Sequence, residues 1–214
     1  YVAPERLESS WLVDRLSRIR LALVAVDEAH CISQWGHDFR PSYMRIGTVL
    51  ERLRPERVLA CTATATPLVR AEIQTRLGLE SERAAVILRG FSRPNLHLSV
   101  VESDVAAERR TRMLRALADA LGEPSAPRGG AIVYAATRRN TEKVAEAVSK
   151  AGWRAAAYHA GLPATLREQV NQAFAAQRLD VVVATNAFGM GIDRPDIRTV
   201  IHVQAPGSVE AYYQ

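Results

Sequence analysis

Short apolar runs alternate with longer amphipathic stretches along most of the chain. Leu21 to Val26 (LALVAV), Val58 to Cys61, Ala131 to Tyr134 (AIVY), Ala155 to Tyr158, Val181 to Ala184 (VVVA) and Thr199 to Val203 (TVIHV) are mainly apolar without a two-residue alternation. That pattern predicts parallel strands covered on both faces. Between them, 42–53, 67–77, 105–121, 140–150 and 163–175 have the spacing of helices with one apolar face. Pro67 suits a first helical turn, where a missing N–H costs nothing, and Gly78, Gly122 and Gly152 suit helix ends. Strand and helix in alternation predict an α/β fold built on parallel sheets. The Gly- and Pro-bearing stretch Arg89 to Asn95 divides two such series, so 1–90 and 91–214 are the expected domains. The loop Gly122 to Gly130 is expected to lie inside the second.

Composition narrows the classes. Of 214 residues, 48% are hydrophobic and 24% charged, the balance of a folded globular chain and not of a disordered one. Lys and Arg exceed Asp and Glu by 28 to 23, giving a net charge of +5, which is compatible with a nucleic-acid partner. No apolar run has membrane-spanning length. Cys31 and Cys61 form no C-x-x-C pair, so zinc is not expected, and both read as reduced core thiols.

The chemistry concentrates at strand ends. Asp27 and Glu28, followed by Ala29 and His30, come directly after LALVAV. Ligands of open α/β sheets bind at the carboxyl edge of the strands. There one carboxylate can hold a hydrated Mg²⁺ and the other can position water against a γ-phosphate. Cys31 to Tyr43 (CISQWGHDFRPSY) then mixes rings with cations and follows neither a strand nor a helix period. Such a loop suits stacking on single-stranded bases.

DEAHCISQWGHDFRPSY resembles, without a gap, the hydrolysis motif and aromatic-rich loop of the RecQ helicases. The resemblance implies two RecA-like units of the P-loop NTPase helicase core, the first truncated, that close on ATP and open after hydrolysis. It assigns Asp27 (Mg²⁺), Glu28 and His30 to catalysis, and Gln34, Trp35, His37, Phe39 and Arg40 to a loop that couples DNA binding to hydrolysis. Ala60 to Ala65 (ACTATA) resembles helicase motif III and brings Thr62 and Thr64 into the same coupling, whereas Thr66 before Pro67 fits a helix cap. Tyr134 to Arg138 (YAATR) resembles motif IV. Thr137 and Arg138 there are either contacts to the DNA backbone or a helix cap beside a surface arginine. Tyr158 to Leu162 (YHAGL) matches the family's pentapeptide and assigns His159 and Gly161 to DNA. Val183 to Asp196 resembles motif V, with Thr185 on DNA and Gly191 and Asp193 on the nucleotide. Where family members commonly carry Lys, this chain has Arg194, a change expected to matter little if the position only supplies charge.

No Gly-x-x-x-x-Gly-Lys-Ser/Thr occurs in the 214 residues. By the resemblance, the phosphate loop belongs upstream of Tyr1 and the arginines of motif VI downstream of Gln214. Both ends therefore look cut through structured sequence, and the chain by itself is expected to show little or no ATPase or helicase activity. The implied whole is a bacterial, cytoplasmic and nucleoid-associated 3′-to-5′ DNA helicase of recombination and repair. It would use ATP and Mg²⁺ on single-stranded and forked DNA, with no zinc in these residues, no membrane contact and protein partners unknown. A DNA-binding remnant with a dead motor and a DEAH-type RNA helicase are the alternatives. The run from Cys31 to Tyr43 argues against the RNA helicase.

Overall fold

A computed structural model of the chain describes residues 1–33, 40–79, 84–89, 93–189, 192, 194–207 and 212. The fold is α/β with parallel sheets, in two compact units: one of the described residues up to Arg93 together with Tyr212, the other spanning Pro94–Gly207.

In the first unit a 3₁₀ turn (Pro4–Glu8) and helix α1 (Ser10–Leu16) precede strand β1 (Val24–Val26). Two further 3₁₀ turns, Ala29–Ile32 and Pro41–Arg45, lead into α2 (Ile46–Leu53), then β2 (Val58–Ala60) and α3 (Pro67–Arg76). β1 and β2 pair in parallel, Val24 opposite Val58 and Val26 opposite Ala60. Val26, Ala29, Ile32, Ile46, Leu50, Val69 and Ile73 form the core beneath them. Thr66 caps α3, its hydroxyl accepting the Val69 N–H at 3.3 Å.

Among the described residues, one face of this two-stranded sheet is open. Leu23 and Leu59 are 53% and 50% exposed. Ala25 and Leu59, paired across the two strands, are both exposed, as the alternation of the pleat places them on one face.

α2 lies hard against the end of α3. A Cβ added to Gly47 would sit 2.1 Å from the Arg76 carbonyl oxygen, which is backbone and cannot swing aside. Gly47→Ala should therefore lower the stability of this unit by about 1–3 kcal/mol, read as a shifted urea midpoint. An unchanged midpoint would mean that the two helices do not approach this closely.

The second unit runs α4 (Ala106–Leu121), β3 (Gly130–Tyr134), α5 (Arg138–Lys150), β4 (Ala155–Tyr158), α6 (Ala164–Ala175), β5 (Val181–Ala184) and β6 (Ile197–His202). The strands form one sheet in the order β4-β5-β3-β6, each neighbouring pair parallel. Strand alternation divides the core in two. Ala131, Val133, Val181 and Val183 pack with Leu117 and Leu121 of α4 and Val148 of α5. Ile132, Val182 and Ala184 pack with Val170 and Phe174 of α6. The central strand β5 is buried throughout, as a continuous apolar run requires, whereas the edge strand β6 leaves Val200 49% exposed. Arg154 fixes the entry to β5: its backbone N–H and guanidinium Nε each donate to Asp180 Oδ2 at 3.0 Å.

Candidate functional site

In the first unit the chain leaves β1 and turns sharply. Glu28 has φ 48° and ψ 43°, a left-handed conformation uncommon outside glycine. Asp27 Oδ1 accepts the Glu28 N–H at 2.9 Å and stabilises the turn. Because the chain reverses there, the Glu28 carboxylate comes to 3.3 Å from Nδ1 of His30, which is only 2% exposed. The same nitrogen lies 2.8 Å from Thr62 Oγ1, just past β2. Thr62 bonds in turn to Thr64: its hydroxyl reaches the Thr64 carbonyl at 3.2 Å and accepts the Thr64 N–H at 3.3 Å. A proton on His30 Nδ1 satisfies all of these bonds together, with the Thr62 hydroxyl free to donate to the carbonyl. Thr64 Oγ1 is buried and has no hydrogen-bond partner among the described residues. The structure thus brings Asp27, Glu28, His30, Thr62 and Thr64 to one sheet edge. Arg40 joins by its backbone, N–H to the Cys31 carbonyl at 3.0 Å.

Cys61 departs from the reading of a core thiol. Cys31 is buried, but Cys61 is exposed, with Sγ 3.5 Å from Asp27 Oδ1. The sheet register explains the contact: Val26 faces Ala60, so the next residues, Asp27 and Cys61, are neighbours across the edge. Desolvation first, then the bond to Asp27, raise the Cys61 thiol above its ordinary pKa, so it stays a protonated donor. Its partner was legible only once the two strands were paired in register. Tyr43, nearly buried below, has its phenol raised chiefly by desolvation and next by Cys31.

In the second unit Thr137 caps α5, its hydroxyl accepting the Asn140 N–H at 3.2 Å, and its side chain stays exposed. Arg138, also exposed, is the first helical residue. His159 follows β4 and is 4% exposed. Its Nε2 lies 3.2 Å from Glu142 Oε1, and its Nδ1 has no partner among the described residues. Gly161 keeps this place open: an added Cβ would lie 3.0 Å from Arg138 Nη1 and 3.2 Å from His159 Nδ1. Thr185, half-buried after β5, gives its N–H to the Tyr158 carbonyl at 3.2 Å. Arg138, His159 and Gly161 therefore surround one small space, which suits an anionic oxygen.

Arg194 does more than supply charge. Its guanidinium forks onto Asp196 (Nε to Oδ1 2.7 Å, Nη2 to Oδ2 3.1 Å), donates from Nη1 to the Phe174 and Leu179 carbonyls at 3.0 and 2.7 Å, and lies 4.3 Å over the Phe174 ring. Gly130 makes room for it, since a Cβ there would meet Cζ at 2.5 Å.

The two units match two sequence families, DEAD/DEAH box helicase over residues 1–71 and Helicase conserved C-terminal domain over residues 109–214. The ATP-dependent DNA helicase RecQ of Pasteurella multocida is 40% identical over 214 residues, and that of Bacillus subtilis is 42% identical over 215. Both alignments take in the whole of this chain.

The chain belongs to the RecQ helicase family.

It spans about a third of the length of these RecQ relatives, 32% and 34%. Among solved structures, Mycobacterium smegmatis helicase Lhr bound to ssDNA and AMP-PNP has a TM-score of 0.64 at 22% identity, over 98% of this chain and 28% of that one. At that identity the likeness concerns the fold. No helix among the described residues is long and apolar enough to cross a membrane. Gln34, Trp35, His37 and Phe39 of the RecQ-like loop, and Gly191 and Asp193 of the motif V segment, lie outside the described residues.

Proposed function

We propose that these residues form part of the motor of an ATP-dependent DNA helicase, moving 3′ to 5′ along single-stranded DNA and opening duplexes and forks in recombination and repair. Residues 1–90 are then the carboxyl-terminal part of a first RecA-like domain and 91–214 most of a second, in a cytoplasmic enzyme working at the bacterial nucleoid. The observation that carries this reading is the connection from Glu28 through His30 Nδ1 to Thr62, which ties an acidic pair to the loop after the neighbouring strand.

The residues present suit Mg²⁺, which takes one or two carboxylates and keeps several waters. Asp27 is exposed at the strand end and would hold it. Bound there, the ion would neutralise charge on the phosphates of ATP. Glu28 orients the attacking water and takes its proton. His30 holds the Glu28 carboxylate in place and passes any displacement of it to Thr62. Arg138, His159 and Gly161, with Thr137 and Thr185 nearby, hold backbone phosphates of the bound strand; a phosphate oxygen accepts from Arg138 and occupies the space over Gly161. Gln34, Trp35, His37, Phe39 and Arg40 sense that strand, and Gly191 and Asp193 meet the nucleotide.

Two experiments test the reading. In the longer protein that carries this segment, Trp35→Ala with Phe39→Ala should abolish stimulation of ATPase by single-stranded DNA while basal turnover persists. Undiminished stimulation removes the loop from its assigned role. In the 214-residue chain, Gly161→Ala should weaken fluorescence-anisotropy binding of a 20-nucleotide oligo-dT by about tenfold, one phosphate contact's worth of affinity. Stronger competition by oligo-U than by oligo-dT would favour an RNA helicase. A longer protein that binds DNA but never hydrolyses ATP would be the non-catalytic remnant.

A further inference from the structure

Besides the Gly161 space, the second unit has a groove of about 310 Å³ flanked by α4 and α5. Its floor is aliphatic: Met113, Val144, Ala147 and Val203. Arg109, Arg110 and Lys143 also line it, and all three are exposed. Three other cations on these helices are compensated, Arg112 by Glu108 at 2.6 Å, Lys150 by Glu146 at 2.6 Å and Arg115 by Asp119 at 4.0 Å, whereas Arg138 and Arg139, at the start of α5, make no ion pair among the described residues. Arg109, Arg110 and Lys143 make no ion pair among the described residues. Three uncompensated cations around an apolar floor are electrostatically unfinished. They hold a positive potential over a surface that can bury a side chain but cannot hydrogen-bond one.

The chemistry of the floor selects the occupant. Single-stranded nucleic acid would meet the cations with its phosphates, but its bases need ring faces to stack on. Among the described residues, no aromatic side chain lines this groove. An aliphatic floor instead receives an apolar side chain, and the basic rim receives carboxylates on either side of it.

We propose that the groove between α4 and α5 is a docking site for an acidic peptide segment of a partner protein, anchored by one large apolar side chain. The interaction needs no nucleotide, and it leaves the Gly161 space free for DNA.

The test uses the whole 214-residue chain and a fluorescein-labelled octapeptide of Asp and Glu with a central Phe. Saturable binding is expected. It should weaken by about tenfold or more with Arg110→Glu plus Lys143→Glu, and comparably when the peptide's Phe is replaced by Ser. Both substituted positions are exposed, and far-UV circular dichroism checks that the fold persists. Absence of binding, or equal binding by the doubly substituted chain, overturns the proposal. So does indifference to the Phe, which would reduce the contact to charge attraction alone. A fourth outcome also overturns it: oligo-dT displaces the peptide and loses affinity as much as the peptide does in the same variant, making the groove a nucleic-acid track.

Discussion

Arg194→Ala is expected to destabilise the second unit by about 2–4 kcal/mol, from two stranded carbonyls and a lost fork onto a partly exposed carboxylate. The substitution leaves the Asp196 carboxylate, whose side chain is 25% exposed, without its fork. It also strands the Phe174 and Leu179 carbonyls and opens a void over the Phe174 ring. Arg194→Lys restores the charge but not the geometry. An ammonium cannot fork onto a carboxylate and still reach two carbonyls, so a loss of about 1–3 kcal/mol should remain. Hydrogen exchange of the β5 amides reports unfolding of this unit separately from the first. Protection factors unchanged in Arg194→Ala would show that the arginine is dispensable.

The sign of the pH dependence follows from Asp196. The bond from Arg194 is the largest influence holding its carboxyl below the ordinary carboxylate range. A depressed carboxylate pKa stabilises the fold at pH values above the unfolded pKa, and the contribution disappears as pH falls through the folded value. The gap between wild type and Arg194→Ala should therefore be widest near neutrality and narrow in acid, below about pH 4.

Arg194 also marks the limit of what sequence pattern reveals. The strands β3, β4 and β5 lie within one residue of their apolar runs, because central parallel strands need such runs and little else. The helices after Pro67 and before Gly122 are equally plain. Burial of an arginine leaves no such trace. It depends on a glycine at the start of β3, Gly130, and on two carbonyls near the end of α6. Helix α1 escaped for the opposite reason: only Val13 of its seven residues is buried, too little to set a period. At the site, the acidic pair was visible as letters after a strand. The left-handed turn at Glu28, which aims the carboxylate at His30, was not. Nor was the Cys61 thiol on Asp27, a contact set by strand register across 34 positions.

The turn at Glu28 makes the second large effect specific. Glu28→Gln in the longer protein should lower kcat for DNA-stimulated ATP hydrolysis by about 10²–10⁴-fold, the range of a lost general base. The amide has nearly the shape of the carboxylate, and its oxygen can still accept from His30 Nδ1, so the left-handed turn and the link to Thr62 persist. What disappears is the capacity to take a proton from the attacking water. The KM for ATP and the affinity for single-stranded DNA should therefore stay within about threefold, because no interaction of the ground state is removed. Thr62→Ala serves as the contrast. It removes the partner 2.8 Å from His30 Nδ1 and leaves Glu28 in place. Basal hydrolysis should then survive while its response to DNA weakens. A Glu28→Gln enzyme that turns over within threefold of wild type would place the general base elsewhere. Equal loss of basal turnover in both variants would mean that the His30 link builds the site and does not transmit from it.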